Sequence, residues 1–156
     1  MDNEILGALI GRWAGTGSGQ FPTINDFTYR EVLEIIDDYD DALLHYKQRT
    51  WRLTEDGETE SHTETGFIGV TDEGTVEITS SQALDRVEVL RGVVSMSDDG
   101  FTLDVESVSI AHDPRMIHSW RTIVYGNDQL SYTMGMATTA VPNGGPHLTA
   151  ELTRVS

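Results

Sequence analysis

Hydrophobic and polar residues alternate with a period of two along much of this chain, which is the pattern of β-strands that bury one of their two faces. The alternation is clearest in three segments, and in each segment one face is expected to point into an interior. The three faces are formed by Val76, Ile78, Ser80 and Gln82, by Val87, Val89 and Val93, and by Leu130, Tyr132, Met134 and Met136. The pattern therefore predicts an all-β protein whose strands share one interior.

Short clusters of Asp, Gly and Asn separate the strand-like segments at intervals of roughly a dozen residues, which is typical of long antiparallel hairpins. The predicted turns lie at residues 37–41, 55–57, 72–74, 98–100 and 126–128. Together with the alternation, they divide the chain into about nine or ten strands.

This strand count favours an up-and-down β-barrel, because closure removes the exposed edges that an open sheet of this size would carry. A β-sandwich is the alternative fold. Gln82, Met134 and Met136 at inward positions are more typical of a cavity lining than of a solid aliphatic core. At the N-terminus, residues 3–10 predict a short amphipathic helix that plugs one end. The length of 156 residues predicts one domain, residues 1–156.

The charge balance limits the partners of this chain. Asp and Glu number 26 against 10 Lys and Arg, which gives a formal net charge of -16. Such a chain repels nucleic acid and anionic membranes, so neither is an expected partner. Lys47 is the only lysine, and this acid-rich, lysine-poor composition is similar to that of proteins from a salt-rich cytoplasm.

The chain has no cysteine, which excludes disulfides, thiolate ligands and thiol nucleophiles. Its acidic N-terminus predicts neither a signal peptide nor a membrane span. The expected location is therefore the cytoplasm.

The glycine-rich segment at residues 11–19 lacks the Lys-Ser/Thr ending and the following helix of a phosphate loop. Its alternate glycines leave one strand face bare, so that the backbone bends or Trp13 and a neighbouring segment pack closely. Residues 37–41 lack the alternating ligands and the closing Glu of a calcium loop, and no serine lies in a nucleophile-elbow context. Taken alone, these residues predict a ligand-binding barrel without a recognisable catalytic triad.

The five histidines show no spacing diagnostic of a zinc site. His45, His112 and His118 are expected to have ordinary surface or turn roles. His62 shares a strand face with Glu64, and two such ligands are too few for a structural zinc site. A simple pair of His62 with Glu64 on that strand face stays open as its role.

Several segments together match one known family. Residues 11–17, Gly-Arg-Trp-Ala-Gly-Thr-Gly, fit the Gly-x-Trp-x-Gly-x-Gly signature of the nitrobindins, and residues 19–24 continue as that family does. Further matches lie at residues 27–31, 46–51, 62–67, 76–78, 87–89, 130–132 and 147–152. They follow in order over nearly the whole chain, which therefore resembles a nitrobindin.

This resemblance implies a ten-stranded antiparallel up-and-down barrel, similar to lipocalins and fatty-acid-binding proteins, that holds haem b at an open mouth. The axial iron ligand of the family is the histidine of the closing His-Leu motif, which is His147 here. The same matching implies that His62, Gln82 and Met136 line the cavity and that Thr23 lies near the haem. His62 is then a pocket residue and not a second axial ligand, and no catalytic side chain beyond the haem iron is implied.

The chain departs from the family pattern in places. Ile68 follows Gly66-Phe67 where family members often carry a basic residue, which argues against a contact from that site to the haem propionates. Residue 147 also follows a slightly long loop, residues 138–146. Alternation places Leu148 on the inner face and His147 on the outer one. We expect His147, at the start of its strand, to leave the regular pleat and lean over the mouth.

The function that the resemblance implies is peroxynitrite isomerase, an enzyme that converts peroxynitrite to nitrate at a ferric haem. Two alternatives stay open: a carrier or sensor of nitric oxide at the same haem, and a haem-free barrel that binds a lipid or another apolar small molecule. The expected partners are haem, its iron, and the nitrogen oxides peroxynitrite and nitric oxide. A homodimer is an open alternative to a monomer.

Overall fold

The computed structural model describes residues 5–38, 43–83 and 85–156. Within these residues the chain forms one short helix and ten antiparallel strands. The strands are β1 (Gly11–Phe21), β2 (Ile24–Asp38), β3 (Leu43–Thr54), β4 (Gly57–Val70), β5 (Val76–Gln82), β6 (Val87–Met96), β7 (Gly100–Ala111), β8 (Met116–Gly126), β9 (Gln129–Thr138) and β10 (Gly145–Arg154).

The ten strands close into a single barrel. Each strand pairs with its neighbours in sequence, and β1 pairs with β10 to complete the ring. Gly17, for example, lies opposite Tyr29 of β2 on one side and Ala150 of β10 on the other. The structure thus confirms the predicted up-and-down barrel and is not the alternative β-sandwich.

One end of the barrel is open, and we call it the mouth. Because the strands run up and down in sequence order, the turns that follow the odd-numbered strands all gather there. In the described residues, these mouth turns comprise residues 22–23, 55–56, 83 with 85–86, 112–115 and 139–144. Of the five, the turn pattern of the sequence predicted only the one at residues 55–57.

The opposite end is closed by the N-terminal segment. Leu6–Leu9 form a single 3₁₀ turn, and Leu6 and Leu9 are both buried. Trp13 is fully buried beside them and donates its indole N–H to the carbonyl oxygen of Leu9 at 2.9 Å. A plug is therefore present, but it is shorter than the predicted helix because Ile10 is already extended and leads directly into β1. Residues 3 and 4 lie outside the described residues.

Two of the three predicted inner faces are confirmed, and the third is wrong. The residues of β5 that alternate from Val76 to Gln82 are buried, and those of β9 from Leu130 to Met136 face the interior. On β6, however, Val87 and Val93 are 40% and 60% exposed, while the alternate residues Glu88 and Leu90 are buried. Both faces of β6 carry apolar residues, so alternation of polarity does not reveal that the inner face contains a charged side chain.

Three of the remaining predicted turns fall at the closed end. Those near residues 72–74, 98–100 and 126–128 all join consecutive strands. Asn127 and Asp128 both have positive φ, which is the backbone of a two-residue type I′ hairpin turn. Of the turn predicted at residues 37–41, residues 37 and 38 belong to β2, and the rest lies outside the described residues. In the described part of the chain, no helix has the length and apolar character to cross a membrane.

Candidate functional site

A cavity of about 670 Å³ opens at the mouth and extends into the barrel. This volume lies within the range of pockets that enclose small molecules and cofactors. All five residues that the sequence placed at a binding site line this cavity: Thr23, His62, Gln82, Met136 and His147. The fold thus brings together residues from five different strands or turns.

His147 enters the cavity because β10 contains a β-bulge. Pro146 lies opposite Gly135 of β9 and Leu148 lies opposite Met134, so that His147 is one extra residue between two paired positions. The bulge interrupts the alternation, and both His147 and Leu148 line the cavity. His147 therefore leaves the regular pleat as expected, and the loop at residues 138–146 does not carry it away from the mouth.

The surroundings of His147 determine the tautomer and the protonation of its imidazole ring. The Nδ1 atom lies 3.2 Å from the carbonyl oxygen of Gln20, and because a carbonyl only accepts, Nδ1 carries the proton. The Nε2 lone pair then has no hydrogen-bond partner among the described residues. Partial burial lowers the pKa of His147, although the hydrogen bond to Gln20 opposes this shift. A neutral imidazole with a free nitrogen is the form that coordinates transition metals.

His62 lines the cavity and also pairs with its neighbour on β4. Its Nε2 atom lies 3.2 Å from Oε1 of Glu64, whose side chain is only 2% exposed. The two sequence-based readings of His62 are thus compatible. The pairing fixes one ring nitrogen toward the protein and leaves Nδ1 without a partner among the described residues.

Beneath the cavity, buried charged and hydroxyl groups form a layer that we call the polar floor. Its members are Glu31, Tyr46, Glu64, Glu88, Arg121 and Tyr132. At its centre, Arg121 donates to Glu64 at 2.6 Å and to Glu88 at 3.2 Å. Burial opposes the ionisation of Glu64, but Arg121 and His62 outweigh it and lower the pKa of this carboxyl. The centre of the floor is therefore a fixed set of ionised groups.

Glu31 lies at the edge of the polar floor in a different environment. Its side chain is fully buried, and Tyr132 donates its hydroxyl to Oε1, while Oε2 has no hydrogen-bond partner among the described residues. Burial raises the pKa of Glu31 to about 7, against the hydrogen bonds from Tyr132 and Gln48. Glu31 also borders a second, small cavity of about 50 Å³ below the floor.

Sequence reasoning missed the polar floor. The signal for Glu31 was present, since it occupies the inner face of β2 between the buried Tyr29 and the partly buried Leu33. A single carboxylate within an otherwise apolar face indicates a buried charge with a partner. The partners themselves, such as Arg121, lie on other strands and leave no trace in the local pattern.

The other histidines lie away from the cavity, in agreement with their expected surface and turn roles. His45 lies 2.9 Å from the hydroxyl of Thr65, and Nδ1 of His118 lies 3.0 Å from that of Ser107. His112 occupies a mouth turn with a positive φ of 67°.

Ile68 is buried in the core, so a side chain at this position does not reach the mouth. No group of three or more His, Asp or Glu that could hold a metal ion exists in the described parts of the chain.

Comparison with known proteins gives a consistent result over the whole chain. The family model for the THAP4-like, heme-binding beta-barrel domain matches residues 2–154. Peroxynitrite isomerase 2 of Mycobacterium ulcerans is 32% identical over 161 residues, covering 99% of this chain and 96% of the relative. Peroxynitrite isomerase of Mycobacterium leprae is 30% identical over 156 residues, covering 98% of this chain and 94% of the relative.

A solved structure agrees with these matches. The crystal structure of Rv2717c from M. tuberculosis superimposes with a TM-score of 0.86 at 28% sequence identity, and the match covers 98% of both chains. The closed ten-stranded barrel and the family match over residues 2–154 lead to the same conclusion: the chain belongs to the THAP4-like, heme-binding β-barrel family, as its resemblance to the nitrobindins indicated.

Proposed function

We propose that this protein binds haem b through His147 and isomerises peroxynitrite to nitrate. The observation that carries the proposal is the β-bulge, which places a histidine with a free Nε2 against a cavity of about 670 Å³. The family match over residues 2–154 supports the cofactor, and the relatives named peroxynitrite isomerase support the reaction.

The residues around the cavity fit a haem. A haem has a flat apolar macrocycle with two carboxylates at one edge, so it requires apolar walls, one axial donor and a polar exit. His147 is the donor, and the mouth is the polar exit. The apolar parts of the wall come from Ile24, Phe27, Met116, Met134, Met136 and Leu148.

When bound, haem would supply a Lewis-acidic iron at which peroxynitrite binds and its O–O bond weakens. The protein contributes position and polarity. His147 binds the iron through Nε2, and the carbonyl of Gln20 holds the ring in the tautomer that makes this possible. His62 donates its Nε2–H to Glu64, so Nδ1 is a hydrogen-bond acceptor in the neutral ring and can donate to an anion only when the ring is protonated. No acid–base pair is needed, because the isomerisation neither adds nor removes a proton.

The two alternative functions are less well supported. A lipid or another apolar ligand that fills the barrel would meet the charged side chains of Glu64, Glu88 and Arg121, which line the cavity and offer little apolar surface to a hydrocarbon chain. A nitric oxide carrier would use the same iron and the same ligand. The relatives, however, are named for isomerisation.

Hemin reconstitution tests the proposal. We expect wild-type protein to develop a sharp Soret band and to accelerate the decay of peroxynitrite to nitrate in stopped-flow measurements. His147→Ala should weaken hemin binding roughly 100-fold or more and abolish the band, since the variant lacks the proposed iron ligand. His112→Ala and His118→Ala are matched controls from the surface and should behave as wild type. Equal loss in a control would contradict the assignment of His147.

The same spectra test whether His62 leaves the iron accessible. Wild type and His62→Leu should both show a ferric iron with one histidine ligand. A bis-histidine, low-spin spectrum in the wild type that becomes five-coordinate in His62→Leu would overturn the proposed reaction, because peroxynitrite would then have no free coordination position.

A further inference from the structure

Four of the ten basic residues line the cavity, which is a notable concentration in a chain of net charge -16. Three of the four form ion pairs with carboxylates inside the barrel or at its mouth, at distances between 2.6 and 3.5 Å. The pairs are Arg86 with Glu88 and Asp113, Arg115 with Asp113, and Arg121 with Glu64 and Glu88. Arg52, the fourth, pairs with no carboxylate among the described residues.

Arg52 lies where the inner face of β3 reaches the mouth. Tyr46, Gln48 and Thr50 are buried on that face, and Arg52 is the next residue along it and is exposed. Its guanidinium lies 4.1 Å from the ring centroid of Phe27, which is itself part of the cavity wall. The stacking holds the guanidinium at the rim without neutralising its charge.

The β1–β2 turn completes this part of the rim. Residues 22–25 and Arg52 together border a groove that adjoins the cavity. Thr23 of this turn lines both the groove and the cavity, so a hydroxyl and a guanidinium lie on the same side of the mouth. An arginine fork beside a hydroxyl is a suitable site for a carboxylate.

We propose that Arg52 binds a propionate carboxylate of the haem and thereby sets the orientation of the cofactor at the mouth. The inference rests on the proposed function and adds to it the recognition of the anionic edge of the ligand. It follows from the contrast among the cavity arginines: Arg86, Arg115 and Arg121 are neutralised by the protein, whereas Arg52 has an unneutralised charge at the exit.

A pair of ligands that differ only in charge tests this proposal. Hemin and its dimethyl ester, in which both propionates are neutral, are titrated into wild type and into Arg52→Gln. We expect Arg52→Gln to weaken hemin binding about fivefold, the effect of one partly exposed ion pair, and to leave the affinity for the ester unchanged. Arg52→Lys should retain part of the preference for hemin over the ester, because lysine keeps the positive charge but not the planar guanidinium.

Arg49→Gln is the matched control, since Arg49 lies on the same strand, pairs with Glu60 on the outer surface and carries the same charge. It should leave the ratio of hemin to ester affinity at the wild-type value. A ratio that is unchanged in Arg52→Gln, or one that changes equally in Arg49→Gln, would overturn the role of Arg52 while leaving haem binding by His147 intact. Absence of hemin binding in the wild type would overturn both proposals.

Discussion

Two buried glutamates of the polar floor, Glu64 and Glu31, have pKa values shifted in opposite directions because their hydrogen-bond partners differ. Glu64 receives hydrogen bonds from Arg121 and Tyr46 at 2.6 and 2.5 Å, and these groups stabilise its charge. Among the described residues, no cation pairs with Glu31: the hydroxyl of Tyr132 stabilises its charge, the amide of Gln48 does so less, and the charge of Glu64 opposes its ionisation. Burial therefore leads to an ionised carboxylate in one case and to a carboxyl that titrates near neutral pH in the other.

The stability of the protein should reflect the titration of Glu31. Its pKa is about 7 in the folded protein and 4.5 in an ordinary carboxyl, so between these values the folded state holds a proton that the unfolded state has lost. The contribution of Glu31 to stability is therefore fully present below pH 4.5 and is lost as the pH rises through 7. Glu31→Gln does not titrate and should gain about 3 kcal/mol relative to wild type between pH 4.5 and pH 8.

Urea unfolding of both proteins at several pH values measures this difference. Because the other titrating groups are common to both proteins, most of their effect cancels in the comparison. A difference in the free energy of unfolding that stays constant over this range would show that Glu31 does not change its protonation there.

At the level of single elements, two glycines of β1 are required because side chains of the neighbouring strand β2 pack against them. Gly17 and Gly19 lie opposite Tyr29 and Phe27 of β2, whose rings occupy the space that side chains on β1 would fill. A Cβ atom added at Gly17 would lie 2.4 Å from Cζ of Tyr29. The close packing predicted for this segment is present, although its partners are these two rings and not only Trp13.

Gly17→Ala should therefore displace the Tyr29 ring and weaken its 2.7 Å hydrogen bond with Tyr132. We expect a loss of roughly 1–3 kcal/mol, typical of an overpacked site, visible as a melting temperature several degrees lower. Gly7→Ala is the control, because an added Cβ there meets no atom within 4 Å. Equal melting temperatures for the two variants would show that Tyr29 moves aside without cost.

At the level of the whole molecule, the polar floor links strands that are distant in sequence. Arg121 of β8 joins Glu64 of β4 and Glu88 of β6, and these three side chains meet only because the barrel is closed. Removing one partner of a buried ionic group leaves the other charges uncompensated. The stability of the barrel and the shape of the cavity floor therefore depend on the same arginine.

Arg121→Met should destabilise the protein by about 3–5 kcal/mol in denaturant unfolding. Arg12→Met is the matched comparison, since Arg12 pairs with Glu34 at 3.3 Å on the surface with both side chains about half exposed. It should change the free energy of unfolding by less than about 1 kcal/mol. Similar losses in the two variants would mean that the floor tolerates an unpaired carboxylate.

The sequence predicted those parts of the fold that depend on short-range pattern. Alternation placed Ile78 and Tyr132 inside, and the motif around His147 identified the residue that lies at the mouth. The β6 valines were placed on the wrong face because both faces of that strand carry apolar residues, and the alternation gave no sign that Glu88 is buried. Pairing across the barrel, such as that of Arg121 with Glu64, depends on closure and register, which no local segment contains.

The order of the strands also has a consequence for folding. Nine of the ten strand pairs join neighbours in sequence, and only the pair of β1 with β10 brings the two ends of the chain together. Closing so long a loop carries the largest entropic cost of any pair, so we expect this seam to form last. The hydrogen bond between His147 and Gln20 spans this same seam. The imidazole of His147 is therefore oriented only once the barrel has closed. A partly folded chain has no preformed binding site for the cofactor.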